Sequence, residues 1–489
     1  MKTQAFNPFL PSYEYIPDGE PYVFGDRVYI YGSHDAFNGS AYCVNNYVCW
    51  SAPMDSLGDW KYEGIIYDKQ KDPLCDDVEK RLLFAPDVQL GADGRYYLYY
   101  AFDELSIMSV AVCDTPAGKY EFYGHVHYAD GTLLGKKEDD IFQFDPGVYR
   151  EGDSVYLYSG FCPPPGRWKP KGTDNDRIQG PVVIELETDM LTIKSEPKVI
   201  APCIINSKGT DFEGHEFFEA SSMRKIRDKY YFIYSSINGH ELCYAISDYP
   251  DKEFRYGGTI ISNGDIYLNG REPKQALNYL GNNHGSIVEI NNRYYIFYHR
   301  HTNKIQFSRQ ACAERIEILE DGSIPQVELT SCGLNDDPLC GKGTYEARIA
   351  CNLMSRNGVT MYSMGDRQVE EFHPYFTQEG EDREDNPNQY IANMTDGAIA
   401  GFKYFDIKGT ESISISIRGC GKGAFIITTS LDMKSDKCIA AEIPVDSPEN
   451  TSREWQEYSA KITLPNGVTA LYFKYAGEGA FDFYSFTLR

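Results

Sequence analysis

Asp145-Pro146-Gly147-Val148-Tyr149-Arg150-Glu151-Gly152-Asp153-Ser154-Val155-Tyr156-Leu157-Tyr158 contains a pattern that recurs along the chain. A carboxylate precedes a short apolar stretch, a Gly-Asp turn follows, and an aromatic strand begins about ten residues after the acid. Four other segments repeat it: Asp18 with Val28-Tyr29-Ile30-Tyr31, Asp87 with Tyr96-Tyr97-Leu98-Tyr99, Glu219 with Tyr230-Tyr231-Phe232-Ile233, and His284 with Tyr294-Tyr295-Ile296-Phe297. Gly25-Asp26, Asp93-Gly94, Arg227-Asp228 and Asn291-Asn292 stand between the two markers, so each unit reads as strand, tight turn, strand. One antiparallel unit repeated at wide, fairly even spacing predicts a radial array of small sheets. The innermost strands of such an array converge, which brings the five leading polar residues to one axial point.

The rest of the composition agrees with an all-β protein. The chain has 489 residues, enough for two domains, and 39 Tyr and 43 Gly favour strands and turns over helices. A net charge of −25 repels a phosphate backbone and excludes nucleic acid as a partner. No apolar stretch has the length needed to span a bilayer, and no membrane role is expected. The stretch Met1-Lys2-Thr3-Gln4-Ala5-Phe6-Asn7-Pro8 lacks the apolar core of a secretory signal, which points to the cytoplasm. None of the 13 cysteines sits in a CxxC pair, so a zinc ribbon or thioredoxin-type site is not expected; Cys43 with Cys49, or Cys332 with Cys340, are the pairs that an oxidising compartment could join.

The repeats end near Ser308-Arg309-Gln310-Ala311, and Arg315 to Leu319 and Ile324 to Leu329 read as further strands, a terminal one closing the ring. Residues 331–343 carry turn and breaker residues and form the expected linker between a five-bladed propeller over 1–330 and a second domain over 344–489. In the latter, Ser412-Ile413-Ser414-Ile415-Ser416-Ile417 alternates with period two, and the other short runs resemble it without the acid-plus-tyrosine repeat. That pattern predicts a β-sandwich of jelly-roll type.

Three carboxyls sharing an axial pocket repel one another and are partly desolvated, so their proton affinities separate. Asp18, Asp145 and Glu219 thereby supply what glycoside hydrolysis needs, an acid for the leaving oxygen and a base for water. No Gly-rich loop with a following Lys and Ser/Thr supports phosphoryl transfer, and no G-x-S-x-G elbow supports a serine hydrolase. The flanks of Glu219, Phe217-Phe218 and Ala220, are apolar, and a buried acid without a task is uncommon. The competing reading of Asp18 and of Asp145 is a turn residue opening a strand; that of His284 is a hydrogen-bonded core histidine.

Asn7-Pro8, Pro17-Asp18-Gly19-Glu20-Pro21, Phe84-Ala85-Pro86-Asp87-Val88, Phe144-Asp145-Pro146-Gly147-Val148, Phe217-Phe218-Glu219-Ala220-Ser221-Ser222 and Asn283-His284-Gly285-Ser286-Ile287 resemble glycoside hydrolase family 43 over roughly residues 5–330. The resemblance implies a five-bladed β-propeller among inverting β-xylosidases, α-L-arabinofuranosidases and endo-arabinanases, acting on hemicellulose-derived oligosaccharides. It implies Asp18 as general base, Glu219 as general acid, and Asp145 as the residue that tunes and orients the acid. It implies no cofactor for the chemistry, His284 beside a central structural calcium ion, and Arg309 reaching the sugar. Phe84 stands where a Trp often precedes Ala-Pro-Asp, and Glu20 adds a carboxylate close to Asp18, a rival base. Phe84, Trp50 and Trp168 are sugar-platform candidates, with Asp87 in the pocket wall. From about Tyr345 the chain is similar to carbohydrate-binding module family 6, although Arg348 replaces an acidic residue and Trp455 is the one tryptophan there. The expected function is release of L-arabinofuranose or D-xylose by an exo-acting inverting enzyme. The alternatives are an endo-arabinanase, a non-catalytic sugar-binding propeller with a lectin-like sandwich, and a retaining enzyme acting on fructosides.

Overall fold

The computed structural model describes residues 4–138, 140–165, 180–362, 370–384, 387–432, 438–449 and 453–489. Its first part is a five-bladed propeller. The blades are β1 (Glu20–Phe24) to β4 (Lys61–Tyr67), β5 (Asp87–Leu90) to β8 (Glu121–His125), β9 (Gly147–Glu151) to β12 (Lys198–Val199), β13 (Phe217–Ile226) to β16 (Arg255–Ser262), and the three strands β17 (Ile287–Ile290), β18 (Arg293–Thr302) and β19 (Ile305–Ile316). Each is an antiparallel meander, and its first hairpin is the repeat unit of the sequence. Phe24 pairs Arg27, Glu151 pairs Ser154, Ile226 pairs Lys229 and Ile290 pairs Arg293, leaving two-residue turns in which Gly25, Gly152, Arg227, Asn291 and Asn292 take positive φ.

The recurrent tyrosines tie neighbouring blades together. Tyr31, Tyr99, Tyr158 and Tyr231 lie on the second strands of blades one to four and are fully buried or nearly so. Their hydroxyls donate to Pro116 O (2.7 Å), Met190 O (2.6 Å), Pro250 O (2.7 Å) and Gly322 O (2.8 Å), each in the loop that follows the third strand of the next blade. A tyrosine suits this position because its ring fills the gap between sheets while its hydroxyl finds a backbone acceptor.

The ring closes otherwise than expected. Ile324 to Leu329 joins no sheet: it runs along blade four with Ile324 N donating to Tyr244 Oη (2.9 Å), Val327 N to Ile260 O (2.9 Å) and Leu329 N to Asp265 Oδ1 (2.7 Å). Side-chain acceptors and Pro325 replace a strand ladder there. Closure comes from the N-terminal segment. The Asn7 amide imitates a strand against β19, Nδ2 donating to Ala313 O (2.8 Å) and Oδ1 accepting from Ala313 N (2.9 Å), and Gly19 bridges Gly285.

The remaining strands, β20 (Leu339–Cys340) to β29 (Gly467–Leu488), form one ten-stranded sheet that curls upon itself as a sandwich. It begins inside the expected linker, since Leu339 and Cys340 already pair with Phe405 and Asp406. Its long strands β26 (Ser412–Thr428) and β29 pair along most of their length and turn the corner between layers at a glycine crossing. A Cβ on Gly419 would lie 2.2 Å from Ala480 O. The Ile413, Ile415 and Ile417 face enters the core, as the alternation predicts. Among the described residues helical structure is confined to short 3-10 turns, and no helix is long and apolar enough to cross a membrane. All 13 cysteines are free thiols, including the four considered for pairing.

Candidate active site

Asp18, Asp145 and Glu219 gather at the propeller axis, each presented by unusual backbone. Asp18 and Asp145 take φ of 57° and 45° immediately before the innermost strands of blades one and three. Glu219 lies on β13 between two register shifts, with Ala220 behind it at φ 70°. Bulges and left-handed non-glycine residues re-aim side chains at functional sites and persist only where the surroundings hold them. Here Asp145 Oδ2 accepts from Ala220 N (3.1 Å), which fixes the bulge carrying Glu219.

The electrostatics divide the carboxyls. The Glu219 carboxyl is pushed up to about 8, by burial first and by the charge of Asp18 second, with Arg309 opposing. Asp145 is pushed well above the carboxylate range by burial, then by Glu219 and Asp18. Asp18 Oδ1 accepts from Arg309 Nη1 (2.9 Å), a charge-assisted bond. His284 Nδ1 lies 3.9 Å from Asp18 Oδ1 and 3.6 Å from Asp145 Oδ2, and burial drives the imidazole down to about 4, so the ring is neutral.

Some sequence-predicted residues take other roles. Arg309 is engaged within the protein: Nε and Nη2 grip Asp35 (2.8 and 3.0 Å), Nη1 holds Asp18, and Tyr42 stacks 4.6 Å from the guanidinium. Asp87 does not face the opening. It is fully buried, Oδ1 accepts from Tyr22 Oη (2.6 Å) and Val88 N (2.7 Å), Oδ2 from Val148 N (2.7 Å), and it joins the first three blades. Glu20 is no rival base, because its Oε2 is committed to Arg224 (2.5 Å) and Ser222 (3.1 Å). Trp50 is a core residue, 3% exposed, donating to Glu14 Oε2 (2.8 Å), and so is not a platform. Trp168 lies outside the described residues. Phe84 is half-buried and begins a run of rings, Phe84–Phe144 (5.0 Å), Phe144–Phe161 (5.1 Å) and Phe161–Phe218 (5.3 Å), beside the residues that precede Asp87, Asp145 and Glu219. Sequence reasoning missed Asp35, Tyr42 and His299. The polar triplet Ser33-His34-Asp35 just after the β2 aromatics was the available signal for Asp35.

Calcium takes six to eight oxygen ligands. Around His284 stand a ring nitrogen, two carboxylate oxygens of which one is bound to Arg309, and the His299 ring 3.4 Å from Asp18 Oδ1. The protein atoms here supply only two carboxylate oxygens, one of them bound to Arg309, so a calcium ion beside His284 would be held mostly through water. Elsewhere His215, Glu241 and Cys243 come together. Their donors are used internally: Glu241 Oε1 accepts from Ser236 (2.5 Å) and Asn238 (2.8 Å), and Oε2 from Thr259 (2.7 Å). In the sandwich, Glu346 is paired with Arg348, and the Trp455 face is covered by the Arg418 guanidinium at 4.4 Å.

A propeller hub that gathers carboxyls of divided proton affinity has the make-up of a glycoside hydrolase site. The chain belongs to glycosyl hydrolases family 43, whose model matches residues 7–324. It is 55% identical over 489 residues to a xylosidase/arabinosidase of Thermoclostridium stercorarium, covering 100% of this chain and 99% of that protein. A xylosidase/arabinosidase of Bacteroides ovatus is 27% identical over 329 residues, 61% of this chain and 89% of its own. Among solved structures, a β-xylosidase/α-arabinofuranosidase from a compost microbial metagenome, in complex with xylotriose and in calcium-free form, is 25% identical with a TM-score of 0.51, covering 65% of this chain and 96% of that one.

Proposed function

We propose that the protein is an exo-acting, inverting glycosidase that removes L-arabinofuranose or D-xylose from arabinoxylan and xylan oligosaccharides. Glu219 protonates the leaving oxygen, Asp18 takes a proton from the water that attacks the opposite face, and Asp145 holds the bulge that aims Glu219. The observation that carries this reading is the asymmetry at the hub: Glu219 retains its proton near neutrality, while Asp18 accepts from Arg309. The names of the relatives, xylosidase/arabinosidase, support pentose as the sugar. Each group typically contributes about 10²–10⁴-fold to such a reaction. Asp18→Asn should abolish turnover of nitrophenyl pentosides and Glu219→Gln that of xylobiose or arabinoxylan oligosaccharides, while circular dichroism stays that of the wild type. Wild-type rates in either variant remove that residue from the mechanism. Chromatography of an arabinoxylan digest separates released pentose from the longer products of an endo-acting enzyme and from the unchanged substrate of a sugar-binding propeller.

A further inference from the structure

The sandwich meets the propeller at the loop that braces Arg309. Residues 32–46 leave β2 (Arg27–Tyr31) and carry Asp35, the bidentate partner of Arg309, and Tyr42, the ring beneath its guanidinium. The sandwich grips this loop at several points. Asp382 Oδ1 accepts from Phe37 N (2.6 Å), two residues beyond Asp35. Arg383 Nη1 lies 2.6 Å from Glu14 Oε1 and 2.7 Å from His34 Nε2, the residue before Asp35. Gln378 Oε1 accepts from Tyr15 Oη (2.6 Å), and Tyr15 O in turn accepts from Asp35 N (3.0 Å). A second route runs from Tyr362 O to Gln306 Nε2 (2.6 Å), from Gln306 Oε1 to Tyr42 Oη (2.8 Å), and so to the guanidinium.

These contacts are specific, those of Gln378 and Gln306 with Tyr15 and Tyr362 are buried and those of Asp382 and Arg383 are partly so, whereas the features expected of a polysaccharide-gripping module are engaged otherwise. The Trp455 ring lies against Tyr390 (5.5 Å), Tyr484 (5.2 Å) and Arg418, and Glu346 is neutralised by Arg348. We infer that the C-terminal sandwich is a working part of the catalytic site, holding loop 32–46 so that Asp35 and Tyr42 fix Arg309 and Arg309 fixes Asp18. Asp382, Arg383, Gln378 and Gln306 are positioning residues, since each acts through the loop or its neighbours and not on a hub carboxyl. Misplacing a catalytic carboxylate by about 1 Å costs up to about 10²-fold in rate, so grip on this loop reaches turnover rather than attachment to polymer.

The inference rests on Asp18 acting as proposed above, and the test keeps the two apart. In the full chain, Asp382→Ala/Arg383→Ala should lower kcat on a nitrophenyl pentoside by about 10-fold or more, with the melting temperature within about 2 °C of wild type. Its alkaline activity limit should move to lower pH, because a loosened Asp18 and entering water both relax the field that keeps Glu219 protonated. Asp382→Asn/Arg383→Lys, which keeps an acceptor and a cation, should restore most of kcat and the wild-type limit. Gln306→Ala, inside the second route, should give the same loss and covers the case in which the double variant does not fold. Wild-type kcat and alkaline limit in the double variant, or in Gln306→Ala, overturn the relay. If Asp18→Asn itself remains active, it is the functional reading that fails.

Discussion

Replacing Glu219 by Gln removes a proton donor and keeps the volume, so its consequences follow from the state of the carboxyl it replaces. A carboxyl titrating at about 8 is about nine-tenths protonated at pH 7, whereas at its ordinary 4.5 about three molecules per thousand would carry the proton. Burial and the charge of Asp18 thus raise the competent fraction by about 300-fold. An acid matters in proportion to the basicity of the leaving oxygen. Xylobiose or an arabinoxylan oligosaccharide should therefore lose about 10²–10⁴-fold in kcat/KM with Glu219→Gln, whereas a dinitrophenyl pentoside should lose about tenfold or less. The pH–rate profile gives the second test. Wild-type kcat/KM should fall above about pH 8 as the donor ionises, and on the dinitrophenyl substrate that alkaline limb should vanish in the variant, which has nothing left to titrate there. An equal loss on both substrates, or an alkaline limb still at about pH 8 in the variant, would refute the assignment of Glu219 as the acid.

If Asp18 directs water to the face opposite Glu219, proton NMR of the first turnover should show pentose of inverted anomeric configuration; retained configuration would require a covalent intermediate and a different role for Asp18. Folding that raises the Glu219 carboxyl above its unfolded value withdraws stability as pH climbs from about 4.5 to about 8, since the unfolded chain has already lost the proton. Glu219→Gln should therefore melt about 1–3 °C above wild type at pH 8.5 and level with it at pH 4, and equal melting at both pH values would contradict the buried protonated carboxyl. Glu20→Ala strips a buried guanidinium, Arg224, of a partner at 2.5 Å and should cost about 3 kcal/mol in urea denaturation while the alkaline limb stays at about pH 8; a shifted limb would place Glu20 in the chemistry.

The parts of the molecule legible in the sequence are those whose causes are local. Four of the blade hairpins follow from two-residue turns, and the alternating isoleucines of β26 declare their own face. The converging acids were legible because one unit repeats. What the repeat could not convey is depth: Asp87 stands at the same motif position as Asp18 and Asp145, yet its oxygens are consumed by Tyr22, Val88 and Val148. Ile324 to Leu329 read as a strand because apolar spacing is the same for a ladder and for an extended segment packed on a neighbouring blade. Asp35 stayed hidden because its meaning depends on Arg309, 274 residues away. Trp50 looked like a platform by residue type alone, and only Glu14 beneath its indole shows it to be core.

The protonation of the hub carboxyls follows from how two arginines are distributed among six acids. In one tier Arg224 lies beside Glu20, Tyr22 and Asp87, and even so burial lifts Glu20 to about 8 and Asp87 to about 6. One cation there does not satisfy two buried carboxyls, and that tier is tied up in hydrogen bonds between blades. In the other tier Arg309 spends its donors on Asp35 and Asp18, and Asp145 gives its Oδ2 to a backbone amide. Glu219 is left facing the charge of Asp18 with Arg309 acting on it only from a distance, and the cheapest remedy available to that carboxyl is to keep its proton. Asp145 is raised for the same reason, and in the proposed mechanism Glu219 is the acid because the Asp145 oxygen is spent on the Ala220 amide. Asp35, which touches neither of the proposed catalytic carboxyls, contributes by holding the guanidinium on the Asp18 side of the axis.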